Sequence, residues 1–204
     1  MARIGFIGLG TMGKPMALNM LRSGADLVVS DAFPTSFPEF ERHGARTTNT
    51  LADVATADTI FLCLPSSDVV KKVVLGPDGL RNHLRKGQTI VDTSTITYNA
   101  TLEIASALEA CGVAFMDAPV SGMAARAADG TLTVMCGGEL GVFDAIKPLL
   151  ETVGNKILYM GDVGSGQLTK LINQLLFDIN CAALAEILPM AVKMGLDCAK
   201  VGDV

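Results

Sequence analysis

The run Arg3–Gly13, RIGFIGLGTMG, narrows the folds open to this 204-residue chain more than any other stretch. Ile4 to Gly8 is an apolar run of strand length. Gly8, Gly10 and Gly13 close it, and Met12 to Leu21 then carries apolar residues at helical spacing. A strand that turns into a helix through three spaced glycines predicts the opening of a βαβ unit. Each glycine has its own mechanical reason. The first permits the tight turn, the second lets backbone approach a pyrophosphate, and the third lets the helix pack closely on the strand. Phosphate oxygens then meet the free N–H groups at the helix N-terminus. Gly8, Gly10, Thr11, Met12 and Gly13 are therefore candidate cofactor-binding residues. Taken alone, the pattern also suits a purely structural turn.

Asp31 adds weight to the ligand reading. It ends a second apolar run, Asp26–Asp31, about twenty residues beyond the loop. A carboxylate there accepts hydrogen bonds from the ribose hydroxyls of an adenine dinucleotide and repels a ribose phosphate. The residues that follow, Ala32, Phe33 and Pro34, include no arginine, so NAD is expected over NADP. The alternative role for Asp31 is a turn or cap residue before Phe33-Pro34.

Further apolar runs follow at Thr59–Pro65, Gln88–Thr95, Val113–Gly122, Thr131–Gly138 and Asn155–Gly161, with helix-length segments between several of them. Short runs of Val, Ile and Leu separated by helices predict right-handed crossovers and a mainly parallel, doubly wound α/β sheet of the Rossmann type. Leu64 and Pro65 close one run, Val69 follows, and Thr95 closes the next. That rim of a parallel sheet faces the ligand, so these four complete the cofactor set. The pattern changes at Gly166–Met194, a single helical segment apolar on more than one face, which predicts burial on most sides. Residues able to bury both sides are missing from the sequence, so the cover is expected from a second domain that is cut short or from another copy of the chain. Asn173, Gln174, Asp178, Asn180, Glu186 and Pro189 lie along it and would be costly in lipid, so a buried helix is expected rather than a membrane span. The expected division is a dinucleotide-binding domain over 1–163 and, over 164–204, an interdomain helix opening an all-α domain.

The net charge of −5 with scattered Lys and Arg argues against a nucleic-acid or polybasic membrane surface. Cys63, Cys111, Cys136, Cys181 and Cys198 form no CxxC pair, which predicts reduced, buried thiols and a cytoplasmic setting. His43 and His83 have no metal-ligand spacing, and no metal is expected.

Four segments occur in order: Ile4–Gly13, DAPVSG (Asp117–Gly122), GTLTVMCGG (Gly130–Gly138) and GSGQLTKLINQ (Gly164–Gln174). Together they resemble the β-hydroxyacid dehydrogenase family, of the 3-hydroxyisobutyrate dehydrogenase and tartronate semialdehyde reductase type, with 6-phosphogluconate dehydrogenase more distant. The resemblance implies an NAD(P)-dependent oxidoreductase that interconverts a small β-hydroxy acid and its semialdehyde. It implies Lys170 as the catalytic acid/base and Asn173 as its assistant on the substrate oxygen. Ser121 and Gly122 match the substrate-carboxylate site. Other members carry asparagine where this chain has Gln174, so which amide contacts substrate stays open. Met123 stands where members usually have a second glycine. Members are longer, with an all-helical half that closes over the site, and this chain ends inside the expected start of that half.

3-Hydroxyisobutyrate is the first substrate expected and tartronate semialdehyde the second. The expected partners are the hydroxy acid and further copies of the chain, as a dimer or tetramer. A noncatalytic NAD-binding module is an alternative of a different class. An S-adenosylmethionine enzyme would also place an acid after the second strand, but would leave Ser121 and Lys170 without purpose.

Overall fold

The structure is a computed structural model, and residues 3–203 are described. Strands β1 (Arg3–Ile7), β2 (Asp26–Ser30), β4 (Thr59–Leu62), β5 (Thr89–Asp92) and β6 (Ala114–Asp117) lie parallel, with β1 between β2 and β4. β3 (Arg46–Thr48) extends the β2 edge. Beyond β6 the sheet reverses. β7 (Val120–Ser121) and β6 pair antiparallel with β8 (Leu132–Gly137), and β9 (Gly154–Gly161) pairs parallel with β8.

Alternate side chains on these strands enter two cores, as a sheet covered on both faces requires. Phe6, Phe61 and Val91 point to one, where the two phenyl rings stack with centroids 6.1 Å apart. It is closed by α1 (Gly13–Arg22), α2 (Phe37–Arg42), α6 (Met123–Ala128) and α7 (Leu140–Leu150). Ile7, Ile60, Leu62 and Ile90 point to the other, closed by α3 (Leu51–Val54), α4 (Ser67–Leu75) and α5 (Tyr98–Glu109). Thr50, Ser66 and Thr97 cap the N-termini of α3, α4 and α5 with their hydroxyls, satisfying amides that a helix leaves unpaired.

Two expectations need correction. The run Val113–Gly122 is not one strand. Pro119, which has no N–H to give a ladder, falls between β6 and β7. The five cysteines are not uniformly buried: Cys136 is buried, Cys63 and Cys198 are half-buried, and Cys111 and Cys181 are exposed. The long helix α8 (Ser165–Lys193) forms as expected. From Leu171 to Val192 its apolar side chains are exposed almost throughout, Phe177 at 66% and Ile179 at 64%. By length and composition α8 could cross a membrane. α9 (Cys198–Gly202) follows. The chain forms two compact units that divide between Lys170 and Leu171.

Candidate active site

The glycine loop lines a cavity of about 800 Å³ at the carboxyl ends of β1, β2 and β4. Nine of the ten expected cofactor residues line it: Gly8, Gly10, Thr11, Met12, Gly13, Asp31, Leu64, Pro65 and Val69. The tenth, Thr95, lies outside that lining, exposed between buried Ser94 and Ile96.

The three glycines are held to glycine by different forces. Gly8 has φ +98°, and a Cβ there would sit 2.2 Å from the Cys63 carbonyl oxygen. A Cβ on Gly13 would sit 1.9 Å from the Gly8 carbonyl oxygen, so helix and strand could not approach as they do. Gly10 is different. Its φ is not left-handed, and a Cβ would meet nothing within 4 Å. Neither backbone strain nor packing within the chain requires glycine there. The open space over Gly10, in front of the first turn of α1, fits a diphosphate approaching the backbone.

Asp31 ends β2 with both carboxylate oxygens engaged. The Leu9 N–H donates to Oδ2 at 2.5 Å and the Phe33 N–H donates to Oδ1 at 2.7 Å. Asp31 thus fastens the glycine loop to the end of β2 and forms the turn before Pro34. Each oxygen keeps a second lone pair for a ligand hydroxyl. It is the only charged side chain among the described residues that line the cavity. The Cys63 thiol also lines it, pushed up to about 11 by burial.

Lys170 lies in the second turn of α8, half-buried, and burial holds its ammonium below the ordinary lysine value. Ser121 ends β7, paired opposite Thr133. Gly122, φ +143°, takes the N-cap position of α6, where a Cβ would crowd Arg126 and Leu132. Met123 is next, at φ +61° and 82% exposed. Asn173 and Gln174 fall in the second unit, both exposed.

Three buried residues beneath this region carry polar work that the motif reading did not assign. The Asp117 carboxylate receives the Gly164 N–H at 2.7 Å and the Gln167 N–H at 2.8 Å, so it caps the start of α8. Burial raises its pKa against these donors. Asp92, its register neighbour on β5, accepts from the Ser94 N–H at 3.0 Å, while its Oδ2 is buried with no partner among the described residues. Burial pushes the Asp92 carboxyl up to about 7, with the Asp117 charge adding to it. Gln167 reaches from α8 to the end of β5, where its Nε2 donates to the Ser94 carbonyl at 2.7 Å and its Oε1 accepts from the Ile96 N–H at 3.2 Å. The sequence signal for the two aspartates was a carboxylate closing an apolar run. For Gln167, more than seventy residues from its partners, there was none.

A family model described as the NAD binding domain of 6-phosphogluconate dehydrogenase matches residues 3–161. A second, described as NAD-binding of NADP-dependent 3-hydroxyisobutyrate dehydrogenase, matches residues 164–204. The mitochondrial 3-hydroxyisobutyrate dehydrogenase of Rattus norvegicus is 42% identical over 95% of this chain and 58% of its own length. The 2-hydroxy-3-oxopropionate reductase of Escherichia coli K12 is 40% identical over 98% of this chain and 68% of its own length. The solved Mycobacterium tuberculosis 3-hydroxyisobutyrate dehydrogenase with L-serine superposes with a TM-score of 0.93 at 32% identity, over 100% of this chain and 69% of that one. The chain thus spans between 58% and 69% of the lengths of these three proteins. It carries the family's NAD(P)-binding domain, and it belongs to the β-hydroxyacid dehydrogenase family, of the 3-hydroxyisobutyrate dehydrogenase and tartronate semialdehyde reductase type.

Proposed function

We propose that this chain carries the NAD-binding and proton-transfer parts of an enzyme that interconverts a small β-hydroxy acid and its semialdehyde. The observation that carries the cofactor half is Gly10, a glycine that only an approaching ligand requires, at the mouth of a cavity whose sole charged lining group among the described residues is Asp31. Bound NAD supplies the hydride acceptor for alcohol oxidation. A ribose 2′-phosphate would face the Asp31 carboxylate with no cationic lining residue to neutralise it, so the reading is NAD rather than NADP.

Lys170 is the acid/base. Its amine takes the substrate hydroxyl proton during oxidation and returns it to the carbonyl oxygen during reduction. Partial burial lowers its pKa, which brings the neutral amine closer to the working range. Ser121 and Gly122 anchor the substrate carboxylate through a hydroxyl and a backbone N–H. Asn173 or Gln174 steadies the substrate oxygen. 3-Hydroxyisobutyrate is the first substrate, supported by the NAD signal at Asp31 and by the rat relative. Tartronate semialdehyde is the second, supported by the Lys-Leu-Ile-Asn-Gln order and by the E. coli relative.

The test is NADH formation from 3-hydroxyisobutyrate, glycerate, 4-hydroxybutyrate and L-serine, repeated with NADP. Turnover of one acid, faster with NAD and lost in Lys170→Ala with NAD affinity retained, is the expected result. Near-normal turnover in that variant removes Lys170 from the mechanism. NAD binding with no turnover of any acid, both in this chain and in a version extended through any downstream reading frame, makes the chain a cofactor-binding module.

A further inference from the structure

The exposed rim position of Thr95 and the turn of helix carrying Lys170 belong to distant parts of the sequence, and one buried side chain joins them. Gln167 is 3% exposed. Its amide group meets the backbone on both sides of Thr95, the Ser94 carbonyl and the Ile96 N–H. Its own backbone N–H is held by Asp117, which also takes the Gly164 N–H. Close packing leaves this junction little room. A Cβ on Gly166 would lie 2.3 Å from the Met135 carbonyl oxygen, and one on Gly137 would lie 2.7 Å from Asp117 Oδ1. Lys170 follows Gln167 by three residues, one turn of the same helix.

We propose that Gln167 is a positioning residue: its side-chain amide clamps the Ser94–Ile96 turn, and with it Thr95, to the turn of α8 that carries Lys170. The inference rests on the reading of Lys170 given above for its catalytic meaning, and on geometry alone for the clamp. A side chain that donates to one carbonyl and accepts from the next-but-one amide fixes the turn in distance and in rotation, whereas an apolar side chain of that volume would fix neither. The clamp sets where the amine of Lys170 stands relative to the rim, which proton transfer needs to within a fraction of an ångström.

Replacement by glutamate separates positioning from bulk. A protonated carboxyl reproduces both bonds, its O–H donating to Ser94 and its carbonyl accepting from Ile96. Once ionised it turns an oxygen against the Ser94 carbonyl and the clamp opens. Asp117 on β6 holds the Gln167 backbone N–H, Asp92 on β5 lies beside Asp117 in register and holds the Ser94 N–H, and Lys170 stands one turn along the same helix. The two aspartates, once ionised, hold the introduced carboxyl in its protonated form up to higher pH.

The experiment has two arms. In the cofactor-free chain, amide hydrogen exchange at Ile96 is expected to quicken at least tenfold in Gln167→Ala, with Val91 in the middle of β5 unchanged. Equal exchange at Ile96 overturns the clamp, whatever turnover shows. In the turnover assay, Gln167→Glu is expected to match wild type near pH 6 and to fall at least tenfold below it by pH 8.5, in kcat rather than in NADH affinity. A ratio to wild type that stays flat with pH overturns the positioning role. Wild type that turns over no hydroxy acid, as this chain and as the extended version, defeats the proposed function instead, and the exchange arm still decides the clamp.

Discussion

Asp92 makes the stability of the sheet depend on pH in a way that substitution should remove. Its carboxyl is fully buried, has one donor on Oδ1 and no partner on Oδ2 among the described residues, and is pushed from 3.8 to about 7. The folded state therefore holds this proton more tightly than the unfolded chain does. The contribution is fully present below the unfolded value and is lost as pH rises through the folded one. A displacement of that size corresponds to about 4 kcal/mol against folding once both states are ionised, of which about 3 kcal/mol accrues between pH 5 and pH 8. Asp92→Asn keeps an acceptor for the Ser94 N–H and removes the titration. It also leaves a buried N–H₂ without a partner, a pH-independent cost of about 1–3 kcal/mol. The diagnostic is therefore slope, not level. Asp117, whose ionisation the substitution eases, shifts the result the same way. The chain has no tryptophan and two tyrosines, Tyr98 and Tyr159, so tyrosine emission during urea unfolding reports the unit before Lys170 alone. Unfolding free energies from pH 5 to pH 8 should decline more steeply in wild type, the gap between the two curves changing by about 3 kcal/mol. Parallel curves would refute the argument that Asp92 titrates from inside the folded protein.

Two further substitution sets test the loop and the turn before α6. Gly10→Ala should fold within about 0.5 kcal/mol of wild type and lose at least tenfold in NADH affinity, while Gly13→Ala should lose about 3 kcal/mol or more through overpacking. Equal loss of stability in both would end the distinction between a ligand-held and a fold-held glycine. Met123→Gly should stabilise the chain by about 1 kcal/mol, because Met123 occupies a left-handed conformation with its side chain 82% exposed and little packing to lose. A lower urea midpoint in that variant would show that the thioether contributes more than the strain costs.

The sequence displayed the parallel strands because each had to be apolar on both faces, which leaves short unbroken runs such as Ile60–Leu62 and Ile90–Val91. It hid β3, since Arg46–Thr48 is a polar edge with nothing periodic about it, and α3, too short to show a helical repeat. The reversal after β6 was hidden too, because an antiparallel strand buried on both faces looks the same as a parallel one. The cofactor loop was legible because its demands are local: a strand, three glycines and the start of a helix within eleven residues. The support beneath Lys170 was not. Asp117 and Gln167 meet across fifty residues, and Gln167 meets Ser94 across seventy-three. What covers α8 was not legible for a related reason. An apolar surface shows that cover is needed but not where the cover comes from.

The freedom at Gly10 also bears on how a family like this one drifts. Substitutions at Gly8 and Gly13 are removed by the folding machinery of any cell, whatever the protein is for, because the chain cannot close around them. A side chain at Gly10 passes that screen. A lineage that no longer needed its dinucleotide would lose this glycine first and keep the others. It would leave descendants that express, melt and superpose like their ancestors while binding nothing. Among chains of this fold, the middle glycine is therefore the record of present use, and its two neighbours are only the record of descent.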